Sequence, residues 1–344
     1  MDKTEVSTGN CIALNAALLA SASTVGGKER EGPLGELFDL CDPEDLFGGR
    51  TWEEAESEMQ RKTFNLVLAR AGRRDSDVGA LFAGDLLNQC VGSAYGLLSF
   101  DIPYFGLYGA CSTCAESLLL ASISVTHGVF GLCGAVTSSH FCAAERQFRT
   151  PIEYGAQRAP SAQWTVTGAG AFLLTRASRG GDRPVIRRGI AGRVIDMGVR
   201  DAANMGAAMA PAAADTLCRF FRETGERPDS YDAIVTGDLG FEGGTILCDL
   251  LRAEGILIGE NYTDCGQLIY DRERQDVHGG GSGCGCSAVV LASYLCPRLA
   301  SGELNNILIV GTGAMMSPAS IQQGQAIPAV AHLLRLCSKK EKRR

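Results

Sequence analysis

The chain has 344 residues, of which 45% are apolar and 21% charged, and it contains 43 glycines and 11 prolines. This is the composition of a globular protein long enough for one large or two medium domains. The formal net charge of −7 argues against nucleic acid as the main partner. No run approaches the roughly 18 apolar residues of a membrane span, and the apolar stretch 12–22 is not preceded by the basic residues of a signal peptide. We therefore expect an intracellular protein without a transmembrane helix.

Short apolar strands alternate with amphipathic helices along the chain, which is the pattern of an α/β protein. A helix is predicted to begin at Thr51, because Thr51 and Glu54 have the spacing of a capping box, and to end at Gly72. The runs 80–83 and 307–310 are apolar without alternation. Such runs are typical of parallel strands that are covered on both faces.

Three features recur in the same order in two halves of the chain, which indicates a duplicated βαβ unit. They are a strand followed by Gly-Asp, a helix that opens with Cys-Ser, and an apolar strand that ends in small residues. In the first half they are the strand before Asp85, the helix that opens at Cys111 and the strand within 129–139. In the second half they are the strand before Asp238, the helix that opens at Cys286 and the strand within 307–317. We predict two halves, 1–180 and 181–338, followed by a basic tail, 339–344.

Cys111 is the most informative single residue, because it lies where an apolar strand runs into a helix. A helix N-terminus lowers the pKa of a thiol and binds anions, so the position suits a nucleophile or an anion clamp. The alternative is a small buried apolar residue. The other cysteines are scattered through apolar segments, which favours reduced core residues, and we expect no metal site. The glycine-rich turn 279–283 can present backbone N–H groups but lacks the lysine of a phosphate-binding loop.

A duplicated α/β chain with such a cysteine and such a turn resembles the thiolase fold, whose two halves pack as layers αβαβα. The likeness is more specific in seven stretches, which resemble the stage V sporulation protein AD family. These are KEREGPLG (28–35), AGDLLNQ (83–89), GACST (109–113), TSSH (137–140), AERQFR (144–149), AMAPAAADT (208–216) and GGSGC (280–284).

The resemblance implies a thiolase-like protein of spore-forming bacteria that binds dipicolinic acid. It further implies that the protein is peripheral to the spore inner membrane and works with membrane proteins that move dipicolinate, with calcium, into the developing spore. A homodimer that pairs through a sheet edge near the cysteine helix is implied as well. Family members are regarded as binding proteins and not as enzymes, so no cofactor is expected, and calcium carried with the ligand stays open.

Condensing enzymes of the thiolase fold need two histidines, or a histidine and an asparagine, beside the nucleophile. In this sequence Asp238 aligns with the histidine of the type III ketoacyl synthases, and Cys284 aligns with the asparagine. A carboxylate opposes a developing oxyanion, and a thiol is a weak donor. We therefore predict no catalytic residue and treat Cys111 as a vestigial nucleophile.

Dipicolinate is a flat ring with two carboxylates, and it calls for N–H donors, cations and an apolar slot. Asp85 and Asp238 are predicted to orient a cationic partner or to help hold calcium. For Arg146 and Arg149 the alternative is a surface ion pair. For His140 it is an imidazole whose hydrogen bonds are satisfied within the core, and for Asp238 it is a turn cap. The predicted ligand-binding residues are Cys111, Ser138, Ser139, His140, Arg146, Arg149, Asp85, Asn88, Asp238, Gly283 and Cys284.

Two other functions stay open. One is an acyltransferase of the ketoacyl-synthase or thiolase type that uses Cys111. The other is a purely structural assembly subunit with a vestigial cavity. The basic tail either lies near anionic lipid or is a solvated chain end.

Overall fold

The computed structural model describes residues 9–148 and 157–339. The strands of the first half are β1 (Cys11–Gly26), β2 (Leu40–Asp42), β3 (Ala80–Gly84), β4 (Tyr104–Gly106), β5 (Leu132–Ser139), β6 (Trp164–Thr165) and β7 (Gly168–Arg176). Its helices are α1 (Gly27–Arg30), α2 (Trp52–Ala71), α3 (Val91–Leu97), α4 (Thr113–His127) and α5 (Phe141–Phe148).

The second half repeats this alternation. Its strands are β8 (Val185–Ile190), β9 (Ala233–Thr236), β10 (Tyr262–Asp264), β11 (Gly281–Ser282), β12 (Asn306–Ala314) and β13 (Ala329–Cys337). Its helices are α6 (Met205–Thr224), α7 (Gly240–Ala253), α8 (Cys265–Leu268), α9 (Cys284–Val290), α10 (Cys296–Ser301) and α11 (Pro318–Gln322), and a π-helical turn, Leu291–Leu295, joins α9 to α10.

The strand order is the same in the two halves. It runs β1-β7-β5-β3-β4 in the first half and β8-β13-β12-β9-β10 in the second, and each order has three parallel strands at its outer end. The halves join where β1 pairs antiparallel with β8, as between Cys11 and Ile190. This repeated topology is the duplication that the sequence predicted. The boundary proposed at residue 180 lies in the connection between β7 and β8 and stays a prediction.

Five layers result, as expected for αβαβα packing. Helix α4 lies in the middle layer, because it packs against β3 and β5 of the first half and against β12 and β13 of the second. Helix α2 covers the outer face of the first half, and α6 covers that of the second. Strands with a helix on each face have no solvent-facing side, which explains why β3 and β12 are apolar without alternation.

Helix α2 begins and ends where the sequence predicted. The Thr51 hydroxyl accepts a hydrogen bond from the Glu54 amide at 3.2 Å. The Glu54 carboxylate accepts from the Arg50 amide and not from Thr51, so the capping box is only half formed. Gly72 ends the helix at a φ of +60°, a conformation that costs glycine no steric strain.

One helical stretch, Cys284–Ser301, is long and apolar enough to cross a membrane by composition. In the structure 72% of it is buried inside the protein. Helix α9, where the stretch begins, packs against α4, β5 and β7. Its apolar composition is therefore accounted for by its place in the middle of the fold.

Candidate functional site

Cys111 lies in a tight turn, Ala110–Ser112, directly before helix α4. Ala110 has a φ of +52°, which is strained for a residue with a side chain. Strand β12 approaches this turn closely, since a Cβ on Gly313 would lie 2.5 Å from the Gly109 carbonyl oxygen. The second half of the chain is thus in direct contact with the cysteine turn of the first, and only glycine fits at that contact.

A buried carboxylate, Asp238, follows strand β9 and lies beside Cys111. One of its oxygens, Oδ2, accepts from the Gly283 amide at 2.9 Å and from the Ser282 hydroxyl at 3.2 Å. The other, Oδ1, accepts from the Thr312 hydroxyl at 2.7 Å. The Ser282 Oγ in turn lies 3.9 Å from the Cys111 Sγ. The Asp238 carboxylate therefore links the ends of β9, β11 and β12 to the cysteine turn.

This environment keeps the thiol protonated. Burial raises the pKa of the Cys111 thiol well above its usual range, and the adjacent charge of Asp238 raises that pKa further. The expectation that the helix N-terminus would lower this pKa is wrong, because burial and the neighbouring carboxylate outweigh the helix dipole. A protonated, 6% exposed thiol is a poor nucleophile.

A cavity of about 600 Å³ lies over Cys111. Its wall combines apolar side chains, among them Met205, Met316 and Ile321, with amides and hydroxyls such as Gln157 and Ser317. Among the lining residues that the structure describes, Glu145 is the one with a charged side chain, and none is lysine or arginine. The volume and the mixed wall are those of a small-molecule site.

Two of the predicted ligand-binding residues, Cys111 and Asn88, line this cavity. Two neighbours hold Asn88 in place. Its backbone amide donates to Gln147 Oε1 at 3.0 Å, and its side-chain Oδ1 accepts from the Tyr108 hydroxyl at 3.3 Å. Tyr108 lines the cavity too, so the first half contributes both polar atoms and an aromatic ring to the cavity wall.

Gly283 and Cys284 lie behind the cavity wall and not in it. Gly283 has a φ of +103° and donates its amide to Asp238. The Cys284 thiol donates to the Ser138 carbonyl oxygen at 2.9 Å and is fully buried. Cys284 thus connects the second half to the end of β5, and its thiol does not face the cavity.

Asp85 and Ser138 belong to a buried polar network on the other side of β3 and β5. Asp85 accepts from the amide and the hydroxyl of Ser93 at 2.7 and 2.6 Å, and Ser138 donates to Glu56 at 2.7 Å. Gln60 bridges the two serines, since its amide donates to both hydroxyls. Burial raises the pKa of Asp85 and, with the charge of Asp85, that of Glu56. Contrary to expectation, Asp85 therefore orients no cationic side chain toward the cavity.

His140, Ser139 and Arg146 lie outside the cavity lining, which corrects the expectation that they converge on Cys111. His140 Nε2 is 2.8 Å from the Asp45 carbonyl oxygen, and burial lowers the pKa of its imidazole. Ser139 donates to the Val166 carbonyl oxygen at 2.7 Å. Arg146 pairs with Glu53 at a half-exposed position. Arg149 lies outside the described residues.

Sequence reasoning assigned Asp238, Gly283 and Cys284 of the second half to the site but missed the second-half residues that line the cavity. Ser282, Met205 and the segment 314–318 all line it. Ser282 was within one of the family stretches, and 314–318 directly follows strand β12, where α/β folds commonly place ligand sites. The position after a strand end was thus an available signal. The described residues contain no group of three His, Cys, Asp or Glu side chains that could hold a metal ion.

The family model for stage V sporulation protein AD matches residues 9–337. The chain belongs to this family. Stage V sporulation protein AD of Bacillus subtilis (strain 168) is 43% identical to it over 313 residues, which are 91% of either chain. The chain is therefore a sporulation stage V protein.

Solved structures of Xanthomonas campestris OleA share the thiolase-like fold with this chain. The cerulenin-bound form has a TM-score of 0.63 at 14% identity and covers 97% of this chain and 100% of its own. A single-residue variant of the same protein has a TM-score of 0.60 at 14% identity, with 96% and 100% covered. At such low identity the likeness establishes the fold alone.

Replacing Asp238 tests whether this carboxylate suppresses the thiol. In Asp238→Asn, loss of the charge lowers the pKa of Cys111, and each unit of that decrease multiplies the thiolate fraction about tenfold. We expect Cys111 to react with iodoacetamide at pH 8 about tenfold faster than in the unmodified protein, measured on its own peptide by mass spectrometry. Asp264→Asn, which removes another buried carboxylate, is the control. An unchanged rate at Cys111 in a folded Asp238→Asn protein contradicts the account.

A second prediction concerns pH and the buried Glu29. Burial raises its pKa from 4.5 to about 7, although Tyr270 and the Thr167 amide donate to it. A raised carboxyl pKa favours folding below pH 4.5, and this contribution, roughly 3 kcal/mol, is lost as the pH rises through 7.

The unfolding free energy is therefore expected to fall between pH 5 and 8, and Glu29→Gln to reduce that slope in urea titrations. Glu31→Gln, at an exposed neighbouring position, is the matched control. Equal slopes in Glu29→Gln and the unmodified protein show that Glu29 is not the responsible group.

Proposed function

We propose that the chain binds dipicolinic acid in the cavity over Cys111 and performs no catalysis there. The observation that carries the proposal is the pairing of a ligand-sized cavity with a thiol whose pKa is raised by burial and, in addition, by the charge of Asp238. The choice of dipicolinic acid as the ligand rests on what the resemblance to the sporulation family implies. The Asp238 carboxylate beside the thiol supports a binding role, because its negative charge opposes both a thiolate and a developing oxyanion.

The cavity offers two kinds of contact to such a ligand. Met316, Ile321 and Tyr108 provide apolar and aromatic surface for a flat ring. Amide groups of Asn88 and Gln157 can donate to carboxylate oxygens. The positive end of α4, a helix of 15 residues, begins beside Cys111 and favours an anion at this end of the cavity.

Calcium remains a proposed companion of the ligand. No lysine or arginine occurs among the described lining residues, so a divalent cation would supply positive charge that these residues do not provide. Titrations with and without calcium distinguish the free ligand from its calcium complex.

The acyltransferase alternative is disfavoured by the same geometry. Asp238 is where a condensing enzyme needs a histidine, and its charge raises the pKa of the nucleophile. Cys284 directs its thiol at a backbone carbonyl oxygen and provides no donor to the cavity. Absence of acyl transfer from acyl-CoA onto Cys111 is the expected result, and labelling of Cys111 would favour the enzyme.

We further propose that the protein acts at the periphery of the spore inner membrane, beside membrane transport proteins of the same system, and that it forms a homodimer. The edge strand β4 supports the dimer, because Tyr104 and Phe105 on it are exposed. Tyr95 and Leu98 on the adjoining segment are 70% and 74% exposed. A second copy of this edge would cover this apolar surface.

Calorimetric titration tests the ligand. Wild-type protein is expected to bind dipicolinate saturably with 1:1 stoichiometry. Cys111→Ala should weaken binding about threefold to tenfold, since one contact of about 1 kcal/mol is lost. Ala203→Trp, at a lining position, should weaken binding, because the indole occupies part of the cavity.

Arg146→Ala is the matched control, since Arg146 lies outside the cavity lining, and it should bind as wild type does. If the wild-type protein gives no heat of binding at millimolar dipicolinate, the proposal is wrong. The result would then favour a purely structural assembly subunit. Equal binding by Ala203→Trp places the ligand elsewhere.

Light scattering after size exclusion tests the dimer. Tyr95→Glu combined with Leu98→Glu should convert a dimer to a monomer, because two charges would be buried in the interface. Leu257→Glu, at a residue 70% exposed in the second half, should leave the dimer intact. A wild-type monomer at tens of micromolar contradicts this part of the proposal.

A further inference from the structure

We propose that the edge of the fold opposite the cavity docks on the surface of an anionic lipid bilayer. The contact is a basic face, which we define as Arg176, Arg179, Arg183 and Lys339. The inference deepens the proposed membrane location, because it names the surface that makes the contact and the orientation that follows. It is independent of whether dipicolinate binds.

The four residues come together around the connection between β7 and β8. Arg176 ends β7, and Arg179 ends the short 3-10 turn that follows it. Lys339 follows the last strand and donates a hydrogen bond to the Gly181 carbonyl oxygen. Residues far apart in sequence thus form one group of cations.

The arginines of the basic face are available to a partner. The three arginines are exposed, and no ion pair joins them to any residue within 9–148 or 157–339. Asp182 is the one carboxylate between residues 177 and 184, and it lies 3.9 Å from the Lys339 ammonium. A concentration of positive charge on a chain of net charge −7 is a local feature that suits an anionic surface.

The residues that follow Lys339 in the sequence are mostly basic as well. They are Lys340, Glu341, Lys342, Arg343 and Arg344. The basic tail, 339–344, therefore starts at the basic face, because Lys339 belongs to both. Four to eight clustered basic residues are typical of segments that bind anionic lipid.

An apolar residue lies close to these cations, which favours a bilayer over an acidic protein or a nucleic acid. Val129 is 65% exposed in the turn before β5. Two residues further on, the Cβ position of Gly131 would lie 3.8 Å from the Arg179 guanidinium. An exposed aliphatic side chain beside arginines matches the headgroup region, where apolar and anionic surfaces meet.

The register of the sheet fixes the orientation. At one end of β5, Leu132 pairs with Thr175, next to Arg176, and at the other end Ser139 pairs with Gly168. The cavity lies at the Ser139 end, where Cys284 contacts the Ser138 carbonyl oxygen. The length of β5 separates the two ends by about 23 Å at 3.3 Å per residue. With the basic face on the bilayer, the cavity faces away from it.

Vesicle sedimentation tests the proposal with the full-length protein. The probes are vesicles of phosphatidylcholine alone and vesicles that contain phosphatidylglycerol in addition, at low and at physiological salt. Wild-type protein should bind the anionic vesicles and should not bind the neutral ones. Its binding should weaken as the salt concentration rises. The triple variant Arg176→Glu, Arg179→Glu, Arg183→Glu should bind at least about 100-fold more weakly, since each basic residue contributes roughly fivefold.

The matched control reverses three exposed arginines elsewhere, Arg222, Arg252 and Arg274, to glutamate, and it should bind like wild type. Equal loss in both triple variants shows a non-specific charge effect and overturns the proposal. Absence of wild-type binding to anionic vesicles, or equal binding to neutral ones, overturns it too. Dipicolinate titration of both variants separates this failure from failure of the proposed ligand, because neither change touches the cavity.

Discussion

The buried carboxylate of Asp238 is the constraint on which the site depends. It accepts hydrogen bonds from Ser282, Gly283 and Thr312, so it connects the strand ends of the second half at the point where they meet the cysteine turn of the first. A buried charge without such donors would cost several kcal/mol. The same group that stabilises this junction raises the pKa of Cys111. Asp238 therefore contributes both to the stability of this junction and, together with burial, to keeping the thiol protonated.

The duplicated fold explains why this junction exists. Helix α4 lies between the two halves, and glycines of β12 allow its N-terminal turn to approach the strand. The carboxyl ends of the parallel strands from both halves consequently surround one space. A cavity over Cys111 follows from this topology, whereas its chemistry depends on the side chains that each half contributes.

Much of the fold could be predicted from local signals. Apolar runs without alternation identified β3 and β12 as covered strands, and Thr51 and Gly72 marked both ends of α2. The residues of the site were harder to predict, because proximity along the chain does not give the direction of a side chain. Ser138 and Ser139 are neighbours on β5, yet their hydroxyls enter different hydrogen-bond networks. Nor does the sequence near residue 140 reveal that His140 contacts the backbone of Asp45.

The central claim is that the cavity over the protonated thiol holds dipicolinate. A crystal structure of the protein grown with dipicolinate tests it most directly. The account predicts ligand density in the cavity between Tyr108 and Met316, within van der Waals contact of Cys111, with Asp238 still bonded to Ser282, Gly283 and Thr312. Ligand density outside this cavity, for example beside His140 or Arg146, would contradict the account.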